Sequence, residues 1–324
     1  MTPVRHVLTL SDLEVEELKA IFHEAIELKK AYKNGVREKL LDGKVLGMIF
    51  EKMSLRTRVS FEAGINHLGG SAMLLEDHHV GIGKREAIKD VARVLSSMVD
   101  CVVYRGKRHE IVQEFASWSS VPVINALTDK SHPCQALADM LTIYEEFGSF
   151  NDVKIAWVGD SNNVSASLVE AAAMLGVQIA LSSPVGYHFS KEEFEELTRL
   201  RQPGFELSLH LDPIEAVRGA RVVYTDVWVS MGEPDEVWAE RIRDLMPYQV
   251  NAELMAAAGP QAVFMHCLPS FHDLNTGIGR EMYRKYGVTA MEVTDDVFEG
   301  PQSIVFDEAE NRMHTIKAVM AATL

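Results

Sequence analysis

The sequence predicts an α/β protein of two domains, each a parallel sheet flanked by helices, with a C-terminal helix returning to the first domain. Three observations carry this. The chain has 324 residues, about twice the roughly 150 of one domain. Short apolar runs alternate with longer amphipathic stretches along its length, and such strand–helix alternation implies parallel sheets covered on both faces. More than eight of the short runs read as strands, which suits two sheets better than one.

The elements follow in order. Ser11-Asp12-Leu13-Glu14 has capping-box spacing, and Leu18, Ile21, Phe22, Ala25 and Ile26 then recur on one helical face. Lys29, Lys30 and Lys33 before Gly35 suit the end of that helix. Strands are expected at 45–50, 72–75, 101–104, 121–125, 153–158, 178–181, 206–210, 221–225 and 263–266, with helices at 59–68, 86–98, 136–146 and 165–175 among those between them. Gly148-Ser149-Phe150-Asn151-Asp152 interrupts a helix before a fresh strand. The expected domains are therefore 1–150, joined by a last helix at 307–324, and 151–306.

Composition narrows the function. Hydrophobic residues make up 47% and charged residues 24%, the balance of a folded globular protein. Against 32 Lys and Arg stand 47 Asp and Glu, a net charge of -15. Such a surface repels polyanions, which disfavours nucleic acid and anionic membranes as partners. An anionic ligand has to be caught by local arginines working against that field. No apolar run approaches the roughly 18 residues of a membrane span, and Met1 to His6 carry neither a signal nor a transit pattern. Cys101, Cys134 and Cys267, an odd number at wide spacing, favour neither a disulfide framework nor a zinc site. A reducing, cytoplasmic compartment is expected.

Ligands of open parallel sheets sit beyond the carboxyl ends of the strands, so the residues after each strand matter most. After Phe50 comes Ser54-Leu55-Arg56-Thr57-Arg58, opening a helix. With Ser54 as N-cap, the first-turn N–H groups, the positive helix end and Arg56 form a phosphate cradle. Arg105 ends the third strand as a second cation; alone it would read as a surface charge. His132-Pro133-Cys134-Gln135 opens another helix, with Pro133 at the first helical position and His132 and Gln135 flanking it. Gly159-Asp160-Ser161-Asn162-Asn163 follows the fifth strand with one glycine where a dinucleotide site needs three; the amides of Asn162 and Asn163 suit a small polar ligand instead. Asp226, after the eighth strand, is placed to hold an ammonium group. Cys267 closes the last strand, with His266 pointing to the opposite face, so a His266–Cys267 nucleophile pair is disfavoured. His266, Cys267 and His272 make no recognisable zinc pattern.

Four strings in this order, Ser54-Leu55-Arg56-Thr57-Arg58, His132-Pro133-Cys134-Gln135, Asp226-Val227-Trp228-Val229-Ser230-Met231-Gly232 and His266-Cys267-Leu268-Pro269, resemble signatures of the aspartate/ornithine carbamoyltransferases. The last two, with the tail from Phe306 to His314, are similar to the ornithine branch. The resemblance implies transfer of the carbamoyl group of carbamoyl phosphate to the δ-amine of L-ornithine, giving L-citrulline and phosphate. No metal or cofactor is implied, and the assembly implied is a homotrimer with sites near subunit interfaces. By the same resemblance, Ser54, Leu55, Arg56, Thr57, Arg105, His132, Gln135, Cys267, Leu268 and Arg312 bind carbamoyl phosphate. Asn163, Asp226, Ser230 and Met231 take ornithine, and Arg56, Arg105, His132 and Cys267 are the catalytic residues. Leu55 stands where many members carry a small or hydroxylated residue, and Gly81 where many carry a glutamine. The rival expectations are a carbamoyltransferase for another amine, such as putrescine or an N-acylated ornithine, and a catalytically silent regulator.

Overall fold

The computed structural model describes residues 4–76, 80–229 and 235–324. The chain forms two compact units, one of Met1–Leu141, Asn162–Ala171 and Glu310–Leu324, the other of Thr142–Ser161 and Ala172–Ala309.

The first unit holds strands β1 (Val45–Phe50), β2 (Ser71–Glu76), β3 (Cys101–Arg105) and β4 (Val123–Leu127) in the order β2-β1-β3-β4. All pairings are parallel. The near-continuous apolar runs of β1 and β3 are buried on both faces, as central parallel strands must be. β2 lies at the edge and is only partly covered, with Met73 45% exposed. Helices α1 (Val15–Lys33), α2 (Leu55–His67), α3 (Ile88–Ser96) and α4 (His109–Trp118) belong to this unit, and α5 (Pro133–Phe147) begins in it. Ile49, Val102, Tyr104, Val112, Phe115 and Val123 form one of its cores.

The second unit holds β5 (Lys154–Val158), β6 (Gln178–Ser182), β7 (Leu207–His210), β8 (Val222–Thr225) and β9 (Val263–His266), ordered β7-β6-β5-β8-β9 and again all parallel. The remaining helices are α6 (Asn163–Leu175), α7 (Lys191–Leu197), α8 (Pro213–Val217), α9 (Asp235–Leu245), α10 (Ala252–Ala258), α11 (Gly277–Tyr286), α12 (Asp295–Phe298) and α13 (Val305–Thr323).

The end of α13 returns to the first unit. Lys29 Nζ donates to Asn311 Oδ1 at 2.8 Å, and Lys33 pairs with Glu310 at 2.6 Å. Gly64 of α2 lets α13 pack closely, since a Cβ there would lie 3.2 Å from Lys317 Cγ and Met320 Cε. Among the described residues, no helix is long and apolar enough to cross a membrane.

One local expectation is corrected. Ser11 is not the cap of α1: a short 3-10 turn covers Leu10–Asp12, and the amides of Leu10 and Ser11 donate to the Glu170 carboxylate at 3.1 and 2.9 Å. α1 starts one turn later at Val15, where Glu17 accepts from the Glu14 amide at 2.7 Å. α2 begins at Leu55 with Ser54 at its N-cap, as expected, which puts Arg56 and Thr57 in its first turn. Asn162–Ala171 groups with the first unit, to whose loops Ser167, Glu170 and Asn163 all bond.

Candidate active site

In the first unit, Ser54 occupies the N-cap of α2 with extended backbone (φ -158°, ψ 114°), and its hydroxyl makes no capping bond. An α-helix leaves its first-turn N–H groups without intrahelical acceptors, and here those groups belong to Leu55, Arg56 and Thr57. Leu55 occupies the first helical position and is 73% exposed.

The cradle is extended by a network around Thr57. Its Oγ1 accepts from Arg105 Nη1 at 3.2 Å and from Arg312 Nη2 at 2.8 Å. Arg312 Nη1 also donates to Gln135 Oε1 and lies 3.3 Å from His132 Nε2. Gln135 in turn donates to Asp139 at 2.8 Å. Arginine can only donate, so His132 Nε2 is the acceptor nitrogen and Nδ1 carries the proton. Burial, then the charges of Arg312 and Arg105, hold the His132 pKa well below its usual value. The imidazole is therefore neutral at pH 7. Its Nδ1 and Arg312 Nε are buried with no hydrogen-bond partner among the described residues. Both are donors, and buried donors call for an acceptor. An oxygen acceptor of either charge state would satisfy them.

Residues outside the sequence expectations hold this network. The His132 amide donates to Ser167 Oγ at 2.8 Å. Tyr104 donates to Glu51 at 2.6 Å, and the Lys107 amide donates to the same carboxylate at 3.2 Å, which fixes the chain on either side of Arg105, the last residue of β3. Asn162 Oδ1 caps α6 through the Val164 and Ser165 amides at 2.9 and 3.1 Å. Asn163 Nδ2 donates to the Thr128 carbonyl at 2.6 Å, beside the His132 loop. At Gly81, φ is +61° and a Cβ would lie 2.8 Å from Arg85 Cβ. A glutamine there would require the loop to be rebuilt, so Gly81 is demanded twice by the local backbone.

In the second unit, Asp226 follows β8 and Cys267 follows β9. Asp226 Oδ1 accepts from the Val227 amide at 2.8 Å and from the Cys267 thiol at 3.1 Å. His266 ends β9 one residue before Cys267. It is fully buried, its Nδ1 accepts from the Leu268 amide at 2.9 Å, and its Nε2 lies 3.3 Å from Glu292. Leu268 holds a left-handed φ of +60°, uncommon for a branched residue and frequent where function constrains the backbone. Two buried carboxylates that the sequence did not mark frame this loop. Glu292 accepts from the Ser270 hydroxyl at 2.9 Å and the Phe271 amide at 2.7 Å. Burial raises its pKa, but His266 and the Phe271 N–H outweigh that and hold it below the usual range. Glu308 accepts from the His266 amide at 2.9 Å and from Tyr224 at 3.0 Å. Ser230 and Met231 lie outside the described residues.

Asp226, His266 and Cys267 offer ligand atoms within 4.8 Å of one another, as do His272, Asp273 and Asp295. In the first group the Asp226 carboxylate and both His266 nitrogens already face protein partners. The three cysteines are all free thiols, with Cys101 and Cys134 buried. Burial raises the Cys134 pKa to about 11, so that thiol keeps its proton despite the nearby arginines.

Two parallel α/β units, one with Arg105 and Arg312 gathered on Thr57 in the first turn of a helix and one with a carboxylate at a strand end, define a two-unit α/β protein with its polar groups at the carboxyl ends of the strands. The match to known proteins is specific. Residues 5–145 match the aspartate/ornithine carbamoyltransferase carbamoyl-P binding domain, and residues 151–323 match the Asp/Orn binding domain of the same family. The chain belongs to the aspartate/ornithine carbamoyltransferase family. It is 45% identical to the catabolic ornithine carbamoyltransferase of Treponema denticola over 322 residues, covering 99% of this chain and 95% of that one. It is also 45% identical to the catabolic ornithine carbamoyltransferase 1 of Staphylococcus epidermidis, covering 99% and 98%. Among solved structures it is similar to the ornithine carbamoyltransferase of Pyrococcus furiosus, with 43% identity, a TM-score of 0.87, and 98% and 96% of the two chains covered. The Thermus thermophilus ornithine carbamoyltransferase matches with 40% identity and a TM-score of 0.83 over 100% of both chains.

Proposed function

We propose that this chain transfers the carbamoyl group of carbamoyl phosphate to the δ-amine of L-ornithine, giving L-citrulline and phosphate. The observation that carries the reading is the Arg312 network, in which one buried guanidinium joins Thr57, Gln135 and His132 and leaves two buried donors for a ligand. Ser54, Leu55, Arg56 and Thr57, at the start of α2, hold the phosphate together with Arg105. Arg312, His132 and Gln135 take the carbamoyl end, where His132 Nδ1–H donates to the carbonyl oxygen as charge develops on it. Asn163, Asp226, Ser230 and Met231 receive the ornithine α-ammonium and α-carboxylate, and Cys267 and Leu268 line the reacting carbon.

The reaction is direct. The unprotonated δ-amine attacks the carbonyl carbon and forms the C–N bond. The C–O bond to phosphate then breaks, phosphate leaves with the electron pair, and the nitrogen loses a proton. No covalent enzyme intermediate forms, so Cys267 positions rather than attacks, and proximity and electrostatic stabilisation supply the rate. The active form in this reading is a cytoplasmic homotrimer that needs no cofactor. Sedimentation at a mass of three chains is the expected result, and a monomer with full activity would contradict it.

The acceptor is tested by citrulline formation from carbamoyl phosphate, with N-acetylornithine, putrescine and aspartate run in parallel against ornithine. Ornithine is expected to turn over fastest. The pH dependence is a second check. An alkyl amine has a pKa of about 10.4, so roughly one in 2,500 is unprotonated at pH 7. At subsaturating ornithine, activity is expected to rise about tenfold per pH unit on the acid side of that pKa. Because the His132 pKa is held well below 6.5, its protonation adds no inflection between pH 7 and 9. A flat profile over that range would count against direct amine attack.

A further inference from the structure

Asp226 can hold an ammonium group only if the backbone that carries it is fixed, and the structure shows what fixes it. Arg241, on α9, donates from Nη1 to the Trp228 carbonyl at 2.9 Å and to the Asp160 carboxylate. Its guanidinium lies 5.7 Å from the centre of the Tyr187 ring. Tyr187 is itself placed, since its carbonyl accepts from the Ser161 amide and its hydroxyl donates to Asp244, both at 3.1 Å. Asp160 follows β5, Trp228 follows β8 and Tyr187 follows β6, and these three strands are neighbours in the sheet. One guanidinium therefore ties together the carboxyl-edge connections of three adjacent strands. The Arg241 and Asp160 side chains are 26% and 16% exposed, so their attraction is screened less than that of a surface pair.

We propose that Arg241, held by Asp160, is a positioning residue for the acceptor amino acid: it sets the course of the Asp226–Trp228 backbone and thereby the Asp226 carboxylate. This rests on the acceptor site proposed above, although Arg241 itself touches no substrate. Without it the loop spends part of its time in other conformations, and apparent affinity falls by the fraction that remains competent. At saturation the ligand restores the competent form, so KM changes more than kcat. Both bonds leave one nitrogen, Nη1, so a lysine ammonium can replace them in part but not the guanidinium plane beside the Tyr187 ring.

The test compares R241M, R241K, D160N and the D160N/R241M double variant with the wild-type chain. Expected are an ornithine KM about tenfold higher in R241M and D160N, a carbamoyl phosphate KM within about twofold, and an intermediate KM in R241K. The double variant should be no worse than the worse single variant, because both act through one contact. A substrate-free readout runs alongside. Amide hydrogen exchange at residues 227–229 should be faster in R241M than in wild type, whichever amine proves to be the acceptor. Unchanged ornithine KM, with kcat lowered only in proportion to folded protein by circular dichroism, would overturn the proposal. So would additive effects in the double variant, or equal exchange in R241M and wild type. Absence of ornithine turnover by the wild type would instead refute the functional reading, and the exchange measurement would still decide the role of Arg241.

Discussion

Arg312→Met is expected to lower kcat/KM by about 10²–10³-fold, the range found when a preorganised donor to developing charge is removed, while the chain stays folded. Three neighbours lose their positioning together: Thr57 loses a 2.8 Å donor, Gln135 loses the partner of its carbonyl oxygen, and His132 Nε2 is no longer held. His132 is then free to turn or to exchange tautomers, and the Nδ1–H that serves the carbonyl oxygen is lost from its place. Arg312→Lys is expected to recover little, because an ammonium cannot reach the acceptors from one planar fork. Steady-state kinetics with circular dichroism as a fold control decide this. A loss smaller than about tenfold would mean that His132 and Gln135 are held by other contacts.

Asp226→Asn is expected to raise the ornithine KM strongly and lower kcat/KM for ornithine on the order of 10²–10³-fold, with the carbamoyl phosphate KM little changed. Losing one partner of a charged, hydrogen-bonded pair costs about 2–5 kcal/mol when the other is left unpaired. The side chain has a second task, because its Oδ1 also accepts from the Cys267 thiol at 3.1 Å. Asparagine keeps the shape and can still accept that bond, so the variant isolates the charge. The diagnostic result is loss of the preference for ornithine over N-acetylornithine, since only the free α-ammonium uses the carboxylate. Equal losses with both acceptors would place the ammonium elsewhere.

Much of the fold was legible because its signals are local. β1 and β9 begin and end where their apolar runs do. α5 starts at Pro133, as proline at a first helical position suggests. The start of α1 was misplaced because two overlapping acidic patterns compete there, and the choice between them is made by Glu170, about 160 residues away, which takes the Ser11 amide. Asn162 and Asn163 looked alike in sequence, yet one caps a helix and the other reaches the Thr128 carbonyl.

The identities of the charged and hydroxylated residues at the strand ends, the two-sheet plan and the family all follow from the chain's own order of residues, because periodicity, turn chemistry and motif spacing act over a few positions. The pairing of Thr57 with Arg312 spans 255 positions, and Glu292, Glu308, Ser167 and Arg241 meet their partners only through long-range packing. The tautomer of His132, the burial that keeps it neutral and the backbone held by Arg241 were therefore settled by the tertiary structure. They depend on which groups burial brings within hydrogen-bond reach, and no local pattern encodes that.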